Sequence, residues 1–331
     1  MSTCHAREVV LACKLSQQRM QAVADMLLLT SDMRPVHSDK VLVHNDSCPK
    51  YRDTVVTKTK GILVATSKIN ELVYTVTARW QDVCLCIQDI CELVVSLVEC
   101  CAHLSYLVGI RSPAATPAIP GIIDPYKLRR AGLSVELGCH RLRQTSREIL
   151  SPPVLVQICS EVSSSLSELT ESCKKASELA SDAGDQDQFK HCIKSFTACG
   201  SCLLSSIKCF KRQPTELHRQ RCINFSEPLL ASVKGMVSFA TEEQFIGKPA
   251  VLPADGKENM KAILGASLSL VSACIQLCRV VRDLAYDNTN KQLREQISRC
   301  TEAVSKCSTL TADSLSKHVP LESTRPLSYY R

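Results

Sequence analysis

The 331 residues carry a formal charge of +7 spread along the chain, an apolar fraction of 45% and an aromatic fraction of 4%. Such an apolar share is that of a globular chain long enough for about two domains, and the absence of a polybasic run argues against a nucleic-acid partner. Few aromatics beside much Leu, Val, Ala, Ser and Cys favour helix-on-helix packing over a β-sandwich.

The opening MSTCHAREVVLACKLSQQRM has no basic flank followed by a sustained apolar core, so no signal peptide is expected. Residues 1–14 read as a flexible tail and a first helix is expected near Leu15 to Met33, with a polar loop from Arg34 to Lys50 after it. Val55, Thr59, Ile62, Thr66, Ile69, Val73 and Val76 then keep steps of three and four, as do Val83, Ile87, Ile90, Val94, Leu97, Cys101, Leu104 and Val108. A period near 3.5 predicts long helices packed almost antiparallel. Thr59 and Thr66 put hydroxyls in the seam, which softens the bundle unless each bonds a carbonyl one turn earlier.

Two joints rich in Pro and Gly interrupt the helical pattern: Gly109 to Pro125 (GIRSPAATPAIPGIIDP) and Gln244 to Gly256 (QFIGKPAVLPADG). Between them four helices are expected, about Tyr126 to Gln144, Pro152 to Ser181, Gln186 to Lys211 and Thr215 to Thr241. Ser151 before Pro152 reads as an N-cap, and Asp185 with Gln188 as a capping box. The seams run through Leu155, Ile158, Val162, Leu166, Leu169, Cys173 and Ala176, then through Phe189, Cys192, Phe196, Cys199, Leu203 and Phe210. In the last of the four, Cys222, Phe225, Leu229, Val233, Met236 and Ala240 form a core stripe, and Ile223, Leu230 and Val237 a second row that makes the apolar arc wide. Pro228 is expected to kink this helix.

After the second joint, Asp255 with Glu258 and Thr289 with Gln292 mark two more helix starts. Ala262 to Cys278 carries no charge, but it is short of a membrane span and holds Ser267, Ser269, Ser272 and Gln276, so it reads as a buried central helix. The final seam is Leu293, Ile297, Cys300, Val304 and Cys307. Residues 319–331 read as a flexible tail, and no lipidation box closes them.

The expected architecture is thus all-α, with nine helices. Residues 15–118 and 249–318 supply three and two helices of an outer five-helix bundle, and residues 119–248 an inserted four-helix bundle. This requires the two joints to run side by side.

The wording of MQAVADMLLLTSDMRPV, ELVVSLVECCAHLSYLVG, FSEPLLASVKGMVSFATEEQFIGKPA and KAILGASLSLVSACIQLCRVVRDLA, with this order of helices, resembles the nested five-helix and four-helix pair of the talin rod. The similarity to talin rod domain-containing proteins runs from about Met20 to His318. It implies a non-enzymatic cytoplasmic protein of the actin cytoskeleton and cell protrusions. Such a protein binds F-actin, bundles filaments as a homodimer, and is associated with filopodia and cell migration. It also implies, as an alternative, an adaptor whose bundles take leucine- and aspartate-rich partner helices from adhesion or signalling proteins. Neither a cofactor nor membrane insertion is implied.

A filament binder of this kind faces an acidic surface, so the basic clusters are its candidates: Lys127, Arg129, Arg130, Arg141, Arg143 and Arg147, and separately Lys208, Lys211, Arg212, Arg219 and Arg221. Each also reads as an ordinary solvated face. Phe225, Ile223 and Leu230 are the dimer-interface candidates, read against a core role.

Twenty cysteines remain to be placed. Cys84 and Cys91, Cys192 and Cys199, Cys202 and Cys209, Cys274 and Cys278, and Cys300 and Cys307 recur at four or seven residues, where free thiols pack as small hydrophobes. Cys199-Gly-Ser-Cys202 lies in mid-helix, not at a helix start where a redox pair would sit, and lacks two further ligands for zinc. Gly138-Cys139-His140 and His191-Cys192 have no supporting acid at a recognisable spacing. A thiol or zinc enzyme therefore stands last, and no catalytic, metal or cofactor residue is assigned.

Overall fold

The computed structural model describes residues 3–33, 48–75, 80–145 and 150–318, without side chains for 3–5 and 48–50. Most of the expected loop at 34–50, the tail at 319–331, Val76 and Arg147 lie outside the described residues. Ten helices are present among those described: α1 (Thr3–Leu29), α2 (Cys48–Tyr74), α3 (Trp80–Gly109), α4 (Pro125–Gln144), α5 (Pro152–Leu179), α6 (Ala183–Arg212), α7 (Glu216–Ala240), α8 (Glu243–Ile246), α9 (Ala254–Tyr286) and α10 (Lys291–His318). Two short strands, β1 (Ile119–Pro120) and β2 (Gly247–Lys248), complete the elements. The extra helix over the expected nine is α8, a single turn. The chain divides into two compact units, Met1–Ala118 with Pro249–Arg331, and Ile119–Lys248.

In the first unit α3 is apolar on nearly every side and packs against α1, α2 and α9; α9 in turn packs against α1, α3 and α10, and α10 also against α2. A helix apolar all round belongs at the centre of a bundle. Every member of the predicted α3 seam from Val83 to Val108 is buried. Of the described helices, α9 is the one long and apolar enough to cross a membrane, but its apolar face is covered by its neighbours, and the buried Ser267 hydroxyl donates to the Leu264 carbonyl at 2.8 Å.

Helix α1 corrects the expected tail at 1–14: it begins at Thr3, and Val9, Val10 and Cys13 are buried. Its seam is Val9, Cys13, Ser16, Met20, Val23 and Leu27, and a thiol and a hydroxyl at the second and third places conceal the period. Arg19 on α1 and Glu92 on α3 bridge the two helices. On α2 the two seam hydroxyls are satisfied: Thr59 donates to the Val55 carbonyl at 2.8 Å and Thr66 to that of Ile62 at 2.9 Å. Neither is an unmet polar group, so the expected softening finds no support.

The helix starts after the second joint also differ from expectation. Pro253, not Asp255, precedes α9, and the Asp255 carboxylate accepts from Ser112 at 3.0 Å. Asn290, not Thr289, accepts the Leu293 N–H at 3.2 Å at the start of α10.

The second unit is a closed ring of four helices, α4 on α5, α5 on α6, α6 on α7 and α7 on α4. All seven predicted α5 seam residues are buried, with Phe189, Phe196, Leu203 and Phe210 opposite them on α6. The capping of α6 falls to Asp182, which accepts the Asp185 N–H at 3.0 Å, where the sequence suggested Asp185 itself. Ser151 caps α5 by backbone conformation alone, without a side-chain hydrogen bond. Phe245 meets Phe189 and Phe239 edge to face and those two rings are tilted on each other, with centroids 4.8 to 5.2 Å apart, and this pins the single turn α8 to the bundle.

The joints run side by side within each unit. Thr116 and Val251 exchange both backbone hydrogen bonds, at 2.8 and 2.9 Å, in the first unit. In the second, β1 pairs antiparallel with β2, Ile119 opposite Lys248 and Pro120 opposite Gly247. Gly247 has φ +81°, and a Cβ there would stand 2.2 Å from the Ile119 carbonyl oxygen, so only glycine fits. Two-residue strands containing proline have no periodicity to betray them in sequence.

Candidate functional site

Up-and-down connection of α4 to α7 brings four helix termini to one end of the second unit: the ends of α4 and α6, and the starts of α5 and α7. The basic residues of the sequence divide accordingly. Arg141 and Arg143 on the last turn of α4 join Lys208, Lys211, Arg212, Arg219 and Arg221 at this end, whereas Lys127, Arg129 and Arg130 lie on the first turns of α4, at the opposite end and half-buried. The first predicted cluster is therefore split, and half of it falls in with the second.

Within the cationic end the residues have different duties. Arg143 donates through Nε to the Ser226 hydroxyl at 3.0 Å and approaches Glu227 at 3.8 Å. Arg219 pairs with Glu216 at 2.9 Å, and Arg141 reaches the Gln157 side-chain oxygen at 3.2 Å. Lys208, Lys211, Arg212 and Arg221 are exposed. Lys211 and Arg212 also complement the carbonyl end of α6, which is a structural reason for two of the charges. Burial pushes the nearby Cys159 thiol up, and the charges of Lys208 and Lys211 pull it down. Thr215 caps α7 by accepting the His218 N–H at 3.3 Å.

The dimer-interface candidates separate as well. Phe225 is exposed and Ile223 half-buried, but Leu230 packs into the core of its own bundle and offers little surface. Phe225 also leaves the core stripe to which the pattern assigned it. Ser226 takes that place, fully buried, its hydroxyl donating to the Ile223 carbonyl while it accepts from Arg143. A polar residue in a core position hid the true phase of α7. The sequence signal was the run Cys222, Ser226, Leu229, Val233, with steps of four, three and four.

Every cysteine whose side chain is described is a free thiol. The packing expectation fits Cys91, Cys274 and Cys278, all buried, and fails for Cys202 and Cys209, which are exposed on α6. Burial pushes Cys139 and Cys173 up to about 12, which leaves them protonated and inert. Cys199 sits in the middle of α6 with its sulfur 3.7 Å from the Ser232 hydroxyl. Among the described residues no three His, Cys, Asp or Glu side chains converge so as to hold a metal ion.

Asp124, at the other end of the unit, was not singled out by its sequence context. Its Oδ1 caps α4 by accepting from Tyr126 and Lys127 N–H groups at 3.0 and 3.2 Å, while Oδ2 is buried without a partner. Burial pushes its carboxyl up to about 6; the two N–H groups and the Lys127 charge oppose this, and Glu168 adds to it.

The family model described as the Talin IBS2B domain matches residues 123–243, from the residue before Asp124 to the first residue of α8. Human talin-2 is 24% identical over 202 residues, 61% of this chain and 8% of talin-2. Chicken talin-1 is 25% identical over 194 residues, 58% of this chain and 7% of talin-1, and the talin of Oscarella pearsei is 25% identical over 215 residues, 64% of this chain and 8% of that talin. The matched part therefore spans less than a tenth of the length of these relatives. The closed ring of four helices lies under the family match, so the second unit is similar, in sequence and in helical architecture, to the talin rod domain that the family model describes.

Proposed function

We propose that the chain is a non-enzymatic cytoskeletal protein that binds actin filaments through the cationic end of its second unit and bundles them as a homodimer. Its place is the cytoplasm, on the actin of protrusions such as filopodia, with a role in cell migration. The observation that carries the reading is the convergence of Lys208, Lys211, Arg212 and Arg221, all exposed, with Arg141 and Arg143 at one end of a talin rod bundle. An excess of positive charge at one end of the bundle attracts an acidic polymer and makes the association salt-dependent. Phe225 and Ile223, on the outer side of α7, supply an apolar contact by which two copies meet.

Actin co-sedimentation tests this directly. Filaments should carry the protein down at high speed and form bundles that pellet at low speed, with both effects fading as salt rises. Pelleting at high speed alone means binding without bundling. No pelleting at either speed removes the filament reading and leaves the adaptor for partner helices.

A further inference from the structure

Three thiols from three helices lie at the cationic end. Cys209 is exposed on α6 between Lys208 and Lys211; Cys159 is half-buried on α5; Cys222 is buried on α7, close enough to both that each bears on its ionisation. The level of Cys209 against Cys222 follows from the packing of the two helices. Cys199 touches Ser232 across the α6–α7 contact, and equal steps of ten residues, forward along α6 and back along α7, lead to Cys209 and Cys222. Both thiols therefore lie about 15 Å from that contact, at one height in the bundle.

The start of α7 buries few side chains, and polar contacts from Arg219 and Ser226 to α4 supply much of what holds it. From Glu216 to Pro228 it buries only Cys222 and Ser226. Pro228 lacks the N–H that would bond the Asn224 carbonyl, so the first three turns are separated from the rest of the helix by a missing rung. A segment with few buried contacts opens at low cost, and this one carries Cys222 with it.

We propose that Cys209 and Cys222 form a peroxide-operated disulfide staple across the α6–α7 turn, a modification site that sets the arrangement of the cations carried by that turn. Cys209, the accessible thiol, loses its proton to water and attacks a peroxide; the O–O bond breaks, and Cys209 becomes a sulfenic acid as the peroxide leaves as water or an alcohol. The Cys222 sulfur then attacks the Cys209 sulfur, and the new S–S bond forms as the hydroxyl departs with the Cys222 proton as water. Two hydrogens are lost overall and the peroxide is reduced. The order follows from burial, which pushes the Cys222 thiol up to about 11 and keeps it from reacting first. The chemistry stands independently of the filament reading, whereas the effect on a partner rests on it. Drawing Cys209 inward takes Lys208 with it, and binding to an acidic filament weakens.

Full-length protein treated with hydrogen peroxide, then alkylated and mapped by mass spectrometry, should give a dithiothreitol-reversible Cys209–Cys222 peptide pair lighter by two hydrogens. In Cys222→Ser, dimedone should trap Cys209 as the sulfenic acid, and Cys209→Ser should form no bridge; both variants should keep the helical circular dichroism of the parent. A Cys159–Cys222 bridge, or Cys209 carried on to sulfinic acid in the parent without bridging, overturns the staple. Co-sedimentation of the oxidised and reduced forms supplies the second reading. The reduced form should pellet with filaments at higher salt. Equal pelleting removes the link to partner binding, whereas no pelleting of either form removes the filament reading and leaves the staple standing.

Discussion

The Arg219 guanidinium, in the first turn of α7, donates through Nη2 to the main-chain carbonyl of Arg143 in the last turn of α4, at 3.4 Å. With Glu216 on Arg219 and Ser226 on Arg143, this contact ties two helix termini together at the cationic end. Two of its cations thus hold the surface in shape, and the exposed ones are left to meet a partner.

Charge reversal should separate the two ends of the bundle. Lys208→Glu, Lys211→Glu and Arg212→Glu together should weaken filament association by about tenfold or more at low salt, as expected when several steering charges change sign. The same reversal of Lys127, Arg129 and Arg130, at the opposite end, should have a much smaller effect. Equal losses from both sets in a co-sedimentation titration would mean that no single end is the contact.

Phe225→Asp should turn a dimer into a monomer. The ring is 38% exposed, so the change costs little in the folded monomer, whereas an interface cannot bury an unpaired carboxylate cheaply. Light scattering should report half the parent mass with an unchanged helical spectrum. A monomeric parent would remove the interface and require two filament sites in each chain.

Asp124 gives the second unit a pH dependence of unusual sign. Burial raises its folded pKa to about 6 from the ordinary 3.8, so between these values the folded protein binds a proton that the unfolded chain does not. The stability contribution of this group therefore rises as pH falls from about 7 to 4, by on the order of 2 kcal/mol. Asp124→Asn keeps the capping oxygen without the buried charge and should flatten this rise. Urea midpoints of parent and variant at pH 7.5 and pH 5 read it out; a parallel pH dependence in both would assign the effect to other groups.

Phe245→Ala removes a buried ring that touches Phe189 and Phe239, and should cost the second unit about 3–5 kcal/mol. Gly121→Ala should act on the same place by a different route, because its Cβ would stand 2.1 Å from the Phe245 carbonyl oxygen. A urea midpoint for either variant equal to that of the parent would mean that the single turn α8 contributes nothing to the bundle.

Much of the fold could be read from apolar spacing, because a seam such as Leu155 to Ala176 admits only one face to a core. The misreadings of helix seams share one cause, the way polar and thiol side chains blur an aliphatic pattern. Ser226 displaced Phe225 from the stripe, Cys13 and Ser16 hid the front of α1, and Cys202 and Cys209 passed for core because cysteine is often buried. The cationic end was legible only as two separate clusters. Nothing in sequence spacing tells that Arg141 and Arg143 end their helix beside the turn that holds Lys211 and Arg212, since this depends on the up-and-down path of four helices.

The backbone pair between Thr116 and Val251 brings the two ends of the first unit's chain together where the second unit leaves it and returns. Opposed residues in such a pair lie only about 5 Å apart. Removing everything between them leaves a gap that a short glycine turn closes, with Ala115 and Leu252 still in place on either side. A whole bundle with its own core could therefore be acquired or discarded in a single genetic event, and the host would need no redrawing to accept it.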